Sequence, residues 1–212
     1  PLDSWADKAL SESDPAKQVV ALLALARVAG VDPMHRTDKD PEVDTAMRGK
    51  LLNAAIAIDP SGLDSFDQLT LQRAIQIILT RFGRPDQAMV DKLIARLDPQ
   101  FPAESPEMNW LLCETLAWLQ SPTVAAKAMA LIAAAPTQEE QMQYARSIRM
   151  LTAGWTPELR EAYFEWFLKA ANYKGGASFD KFIEFIRNDA VASLTDAEKE
   201  SMAELLARKP VK

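Results

Sequence analysis

SPEMNWLLCETLAWLQSPTVAAKAMALIAAAPTQEEQMQYARSI, residues 105–148, decides the fold class. Ser105-Pro106 and Ser121-Pro122 each put a capping oxygen before a proline. At the first helical position proline loses nothing, because its missing N–H would have had no intrahelical acceptor. Thr137 stands three residues before Glu140, the capping-box spacing in which two side chains satisfy each other's backbone donors. Met108, Leu112, Thr115 and Leu119 recur every three or four residues, the period of one helix face. The segment PTVAAKAMALIAAAP is rich in alanine, which lets neighbouring helices approach closely, and its short loops favour antiparallel packing.

The same grammar extends in both directions. Asp14-Pro15, Asp40-Pro41 and Thr156-Pro157 repeat the cap-then-proline start, and Ser65 with Gln68 and Thr195 with Glu198 repeat the capping box. Leu71, Ile75, Ile78 and Phe82 form one helical face. Leu159, Tyr163, Phe167 and Ala170 form another, and Phe179, Ile183, Ile186 and Ala190 a third. No segment alternates at period two. Helices are expected at 15–29, 41–58, 66–82, 85–97, 106–120, 122–134, 138–151, 157–171, 178–192 and 196–208, with a short one near 3–10.

Starts running from residue 15 to residue 196 give a mean spacing of about 20 residues, or about 40 per helix pair, near the HEAT and armadillo range. The expected fold is therefore all-α, an α-solenoid of HEAT-like stacked helical hairpins with about ten helices, in a single helical-repeat domain spanning 1–212. The repeats do not align residue by residue. An irregular α-helical bundle is the alternative.

Composition narrows the function classes. A chain of 212 residues with 48% hydrophobic and 25% charged residues has ample material for a core. Aliphatic runs such as VVALLALARVAG at 19–30 are too short and interrupted for the roughly 20 apolar residues a bilayer needs, so a soluble protein is expected. The net charge is −6, with lysine and arginine scattered singly among carboxylates, so nucleic acid is not an expected partner. Cys113 is the only cysteine, which excludes an intrachain disulfide, a zinc site of thiolates and a covalently attached haem. Its apolar helical setting predicts a small buried hydrophobe. The chain begins at Pro1 without a basic-then-apolar signal segment and reads as a piece excised from a larger multidomain protein.

Two segments break the helical pattern, VDPMHRTDKDPEVD at 31–44 and NYKGGASF at 172–179, and any functional residue is sought there first. In the first, the only histidine, His35, sits among Asp32, Asp38, Asp40, Glu42 and Asp44. A calcium loop needs a glycine at its sharp turn, and here Arg36 and Lys39 interrupt the acids instead. A solvated loop with capping acids is the expected reading. In the second, Gly175-Gly176 matches no phosphate-cradling spacing. One of the pair is expected at positive φ as a left-handed helix end, with Ser178 capping the next helix. Glu139 and Glu140, like Asp196, Glu198 and Glu200, fall in first helical turns, where carboxylates complement the helix dipole. Trp5, Trp110, Trp118, Trp155 and Trp166 are expected mainly as packing at helix contacts, and if exposed together they would form stacking platforms for a glycan or small molecule. No catalytic, cofactor-binding or metal-binding residue is assigned, no cofactor is expected, and the chain by itself is not expected to be an enzyme.

The marks Gly154-Trp155-Thr156, the aromatic run Tyr163 to Phe167, Tyr173-Lys174-Gly175-Gly176, Ser178-Phe179, Ile186-Arg187 and Asp189-Ala190 lie between 151 and 206, about a quarter of the chain. This stretch resembles a segment of large exported planctomycete-type proteins, in which a HEAT-like helical-repeat region precedes a c-type cytochrome domain. YKGGxSF is its specific portion. The resemblance implies a periplasmic or exported location and a neighbouring haem domain downstream, carrying the CxxCH motif that these 212 residues lack. It also implies oxidoreductase activity in the parent protein. On this reading the chain is a non-catalytic scaffold or spacer that positions a redox domain or mediates a protein interaction.

Overall fold

Cap chemistry explains where most helices begin. The computed structural model describes residues 2–210, with side chains from residue 4 onward. Among the described residues are twelve α-helices: α1 (Leu2–Leu10), α2 (Pro15–Ala29), α3 (Thr45–Ala57), α4 (Ser65–Phe82), α5 (Gln87–Leu97), α6 (Pro106–Leu119), α7 (Val124–Ala134), α8 (Gln138–Ile148), α9 (Pro157–Ala170), α10 (Phe179–Ala192), α11 (Asp196–Ser201) and α12 (Ala203–Ala207). Three short 3₁₀ turns, Pro33–His35, Pro60–Gly62 and Asp98–Gln100, complete the regular structure. The chain is all-α. The short helix near 3–10 is present, and the helix expected at 196–208 is broken at Met202, which accounts for the two beyond ten.

Asp14, Ser105 and Thr156 cap α2, α6 and α9 as their spacing predicts, each side chain accepting a backbone N–H of the first turn. Thr195 and Glu198 form a complete capping box at α11. Three expected starts are displaced by competing partners. The Asp40 carboxylate accepts the Thr37 N–H at 2.7 Å and hydroxyl at 2.8 Å, closing a local turn, and α3 begins only after Asp44, which accepts the Met47 N–H at 2.8 Å. Asp64, not Ser65, caps α4, while Gln68 Nε2 donates to the carbonyls of Pro60 and Leu63. The Ser121 hydroxyl donates to Asp98 Oδ1 at 3.0 Å, and α7 starts at Val124 without a side-chain cap.

The chain divides into two compact units, residues 1–96 and 97–212. In the first, α2 packs against α1, α3 and α4. Its Val19, Leu22, Leu25 and Ala26 meet a core supplied by Leu51, Leu52 and Ala55 of α3 and by Leu71, Ala74, Ile75, Ile78, Leu79 and Phe82 of α4, all buried. The α2 and α4 ends come so close that a Cβ on Gly30 would stand 2.7 Å from both Arg81 Cβ and the Phe82 ring. Arg81 Nη1 seals that approach by donating to the Gly30 carbonyl at 2.6 Å, and Arg96 Nη2 ties α5 to the Ile58 carbonyl at 2.9 Å.

In the second unit, α7 packs most heavily on α8, α6 lies against both, α8 also reaches α10, and α9 meets α7, α10 and α12. Successive loops are laced together. Gln120, in the left-handed region at φ 64°, turns its Oε1 to accept the Thr152 N–H at 2.9 Å and hydroxyl at 2.8 Å. Two residues on, Gly154 lies against the Pro122 carbonyl, at φ 72°. The Asp98 carboxylate gathers the same region from below by accepting from Ser121, Thr123 and Lys127.

Candidate functional site

α9 is amphipathic, and Arg160 occupies its apolar face beside Tyr163, Phe164 and Phe167. The side chain is 2% exposed. A buried guanidinium is tolerated only if its charge and N–H groups are matched. Nε donates to Glu198 Oε1 at 3.0 Å, Nη1 to Ser193 Oγ at 3.2 Å and Nη2 to the Leu151 carbonyl at 3.4 Å. Cζ lies 4.3 Å from the centre of the Trp155 ring, within cation–π range. Trp155 itself stacks on Tyr163 at 5.3 Å and donates Nε1 to the Leu151 carbonyl at 2.9 Å. One side chain on α9 therefore gathers the loop after α8, the end of α10 and the start of α11.

This hub floors a cleft of about 430 Å³ between the start of α9 and α11–α12, edged by Glu161, Glu198, Glu204 and Arg208. Partial burial pushes the Glu198 carboxyl up, but the Thr195 N–H and hydroxyl and the Arg160 guanidinium outweigh it and hold the group below its ordinary value. Both carboxylate oxygens are engaged, Oε1 by Arg160 and Oε2 by Thr195. The arrangement fixes segments in place, and its charged groups are used in doing so.

The 172–179 loop is a second organised point, though not by the expected means. Gln138, at the start of α8, reads the backbone of Lys174 on both sides, donating Nε2 to its carbonyl at 2.6 Å and accepting its N–H at 3.1 Å. Gln141, one turn on, accepts from Trp166 Nε1 at 3.2 Å and from the Tyr173 hydroxyl. YKGG is thus clasped to α8. Neither Gly175 nor Gly176 has positive φ, and Ser178 makes no side-chain cap, so the left-handed turn expected here is absent. Gly175 is required for space: a Cβ would sit 2.2 Å from the Phe179 ring, whereas one on Gly176 would meet nothing. Gly175→Ala is expected to cost about 1–2 kcal/mol through overpacking, and Gly176→Ala to stay within about 0.5 kcal/mol of wild type. Urea denaturation of the two variants checks the contrast.

The acidic loop does not converge. His35 is exposed with Nδ1 3.8 Å from Asp32 Oδ1, Asp32 accepts the Met34 N–H, Asp40 holds Thr37 and Asp44 caps α3. Among the described residues no three His, Cys, Asp or Glu side chains gather as a metal would require. The tryptophans divide: Trp166 is buried, Trp110 and Trp155 half-buried, Trp5 and Trp118 exposed. Cys113 is fully buried, and burial pushes its thiol well above the ordinary value. It is expected to resist a thiol reagent such as DTNB in the native protein and to react stoichiometrically in denaturant.

Arg160 is the residue the sequence reading missed. Its signal was available, since an arginine at the same helical face as Tyr163, Phe164 and Phe167 must be buried if they are. No helix among the described residues is long and apolar enough to cross a membrane. No protein family, curated protein or solved structure matches the chain.

Proposed function

We propose that the chain is a non-catalytic helical scaffold of a larger, haem-containing exported protein, in which stacked hairpins of HEAT type position a c-type cytochrome domain or a protein partner. The observation that carries this reading is that α6 to α10 pack on helices one or two places along the chain, with the loops at 120–123 and 150–154 laced together. Each hairpin is braced by the next, as in arrays whose repeats contact chiefly their neighbours. The polar residues of the interior serve the same end: Asn109 bonds both backbone groups of Ala103, Gln141 reaches the Ala135 carbonyl, and Arg160 joins three segments. The YKGGxSF segment, which carries the resemblance to cytochrome-associated exported proteins, is here a structural clasp.

The test uses the parent gene and its product. A CxxCH domain is expected downstream, and Gln120→Ala, which unlaces the loops, is expected to slow electron transfer from that haem to its acceptor while leaving the haem spectrum and potential unchanged. A parent without a haem motif removes the redox context. Unchanged electron transfer removes the positioning role.

Trp118, 42% exposed on α6, favours a second reading as a glycan- or small-molecule-binding module. Quenching of indole fluorescence by oligosaccharides that disappears in Trp118→Ala supports it; absence of quenching by the panel counts against it.

A further inference from the structure

The last two helices hold their place without burying a side chain. Neither α11 nor α12 contributes a buried residue, and Met202, Leu205 and Leu206 are only half-covered. Helices of this length do not form in isolation, since an unsupported helix needs roughly 12–15 residues to be even marginally stable. Their order depends on docking. Three ties supply it: Arg160 to Glu198, Arg187 Nη2 to the Leu206 carbonyl at 2.7 Å, and an exposed Arg208–Glu165 pair at 3.8 Å.

Open space flanks the docked segment. On one side is the cleft above Arg160; on the other a groove of about 460 Å³ has Phe167, Leu168, Ala171 and Ile183 in its lining, with Leu206 to Pro210 as one wall. Just before the segment the chain is anchored, because Leu194 is buried and the Ser193 hydroxyl is held by Arg160. Detachment beyond that anchor would leave Arg160 its contacts with Ser193, Leu151 and the Trp155 ring, with its charge facing the opened cleft in place of Glu198. The body of the unit keeps its interior when the segment leaves.

We propose that residues 195–210 form a strap that detaches and redocks as one body, hinged at Leu194–Thr195, while α9 and α10 stay folded. The Arg160–Glu198 pair and the Arg187–Leu206 bond latch the closed state. Opening uncovers the apolar surface of Phe167, Leu168, Ala171 and Ile183.

Hydrogen exchange on the whole chain, followed by mass spectrometry, tests the strap. In wild type, amides of 196–208 are expected to exchange at least about a hundredfold faster than those within 160–170, with one shared opening free energy and little dependence on low urea, as local opening requires. Glu198→Gln is expected to speed exchange across both α11 and α12 by about tenfold, the scale of one charge-assisted bond; because the pair is lost on global unfolding as well, 160–170 rises by no more than that factor and keeps its steep urea dependence. Arg187→Gln, which breaks the other latch, is expected to act in the same direction. The proposal is overturned if 196–208 exchanges no faster than α9 in wild type, if Glu198→Gln accelerates α11 alone, or if 196–208 shows the same urea dependence as 160–170 in wild type or in either variant.

Discussion

Arg160→Met is expected to lower unfolding free energy by about 3 kcal/mol, the range found when one member of a buried ion pair is removed and its partners are left unmatched. The lost groups are specific. Ser193 Oγ and the Leu151 carbonyl each lose a donor, Glu198 Oε1 loses its cation, and Trp155 loses the charge over its ring. Methionine restores part of the volume, so the deficit reports the polar network more than a cavity. Arg149→Met makes the comparison: its pair with Asp189, at 2.8 Å, is one-third to one-half exposed, and about 0–1 kcal/mol is expected. The shift in urea midpoint for the two variants measures the difference. pH provides a second handle. The Glu198 carboxyl is depressed in the folded chain, so its contribution is complete above the ordinary carboxylate range and is lost as pH falls through the depressed value. Wild-type stability should therefore decline on acidification by more than that of Glu198→Gln.

Arg160 also illustrates what a sequence conveys and what it withholds. The helices were legible because their signals act over three or four residues: Asp14, Ser105 and Thr156 meet N–H groups of the very next turn, and Thr195 and Glu198 satisfy each other. Where the caps at Asp40 and Ser121 failed, a competitor had taken the oxygen. The competitor for Asp40 is Thr37, near in sequence, whereas for Ser121 it is Asp98, 23 residues away, which no local rule anticipates. The clasp at YKGG lies further out of reach, since Lys174 is read by Gln138, 36 residues earlier. Arg160's burial could be inferred from its helical face. Its partners could not, because Leu151, Ser193 and Glu198 belong to three separate segments brought together only by packing.

The glycines separate the same two kinds of information. A Gly-Gly pair at a helix end suggests a left-handed turn, but Gly83 and Gly154 are the described glycines at positive φ. Gly154→Ala is expected to cost about 3 kcal/mol or more, because two penalties coincide. An L-residue at φ 72° pays about 1–2 kcal/mol for the left-handed conformation. The new Cβ would also stand 2.0 Å from the Pro122 carbonyl oxygen and 2.7 Å from its carbon, and backbone cannot yield as a flexible side chain can. Separating the two loops to relieve that overlap would strain the Gln120–Thr152 bonds that lace them. Gly83→Ala carries a conformational penalty without the overlap, since Gly83 has φ 74° and ψ −178°, a region essentially confined to glycine, and an added Cβ there would meet nothing within 4 Å. Its expected cost is that conformational strain alone, about 1–3 kcal/mol. Urea denaturation of both variants makes the comparison, and a cost for Gly154→Ala above that for Gly83→Ala reports the overlap with Pro122. Equal costs would mean that the loops at 122 and 154 yield freely to the added Cβ, leaving Gln120 and the packing of α6 and α7 on α8 and α9 to hold these segments together.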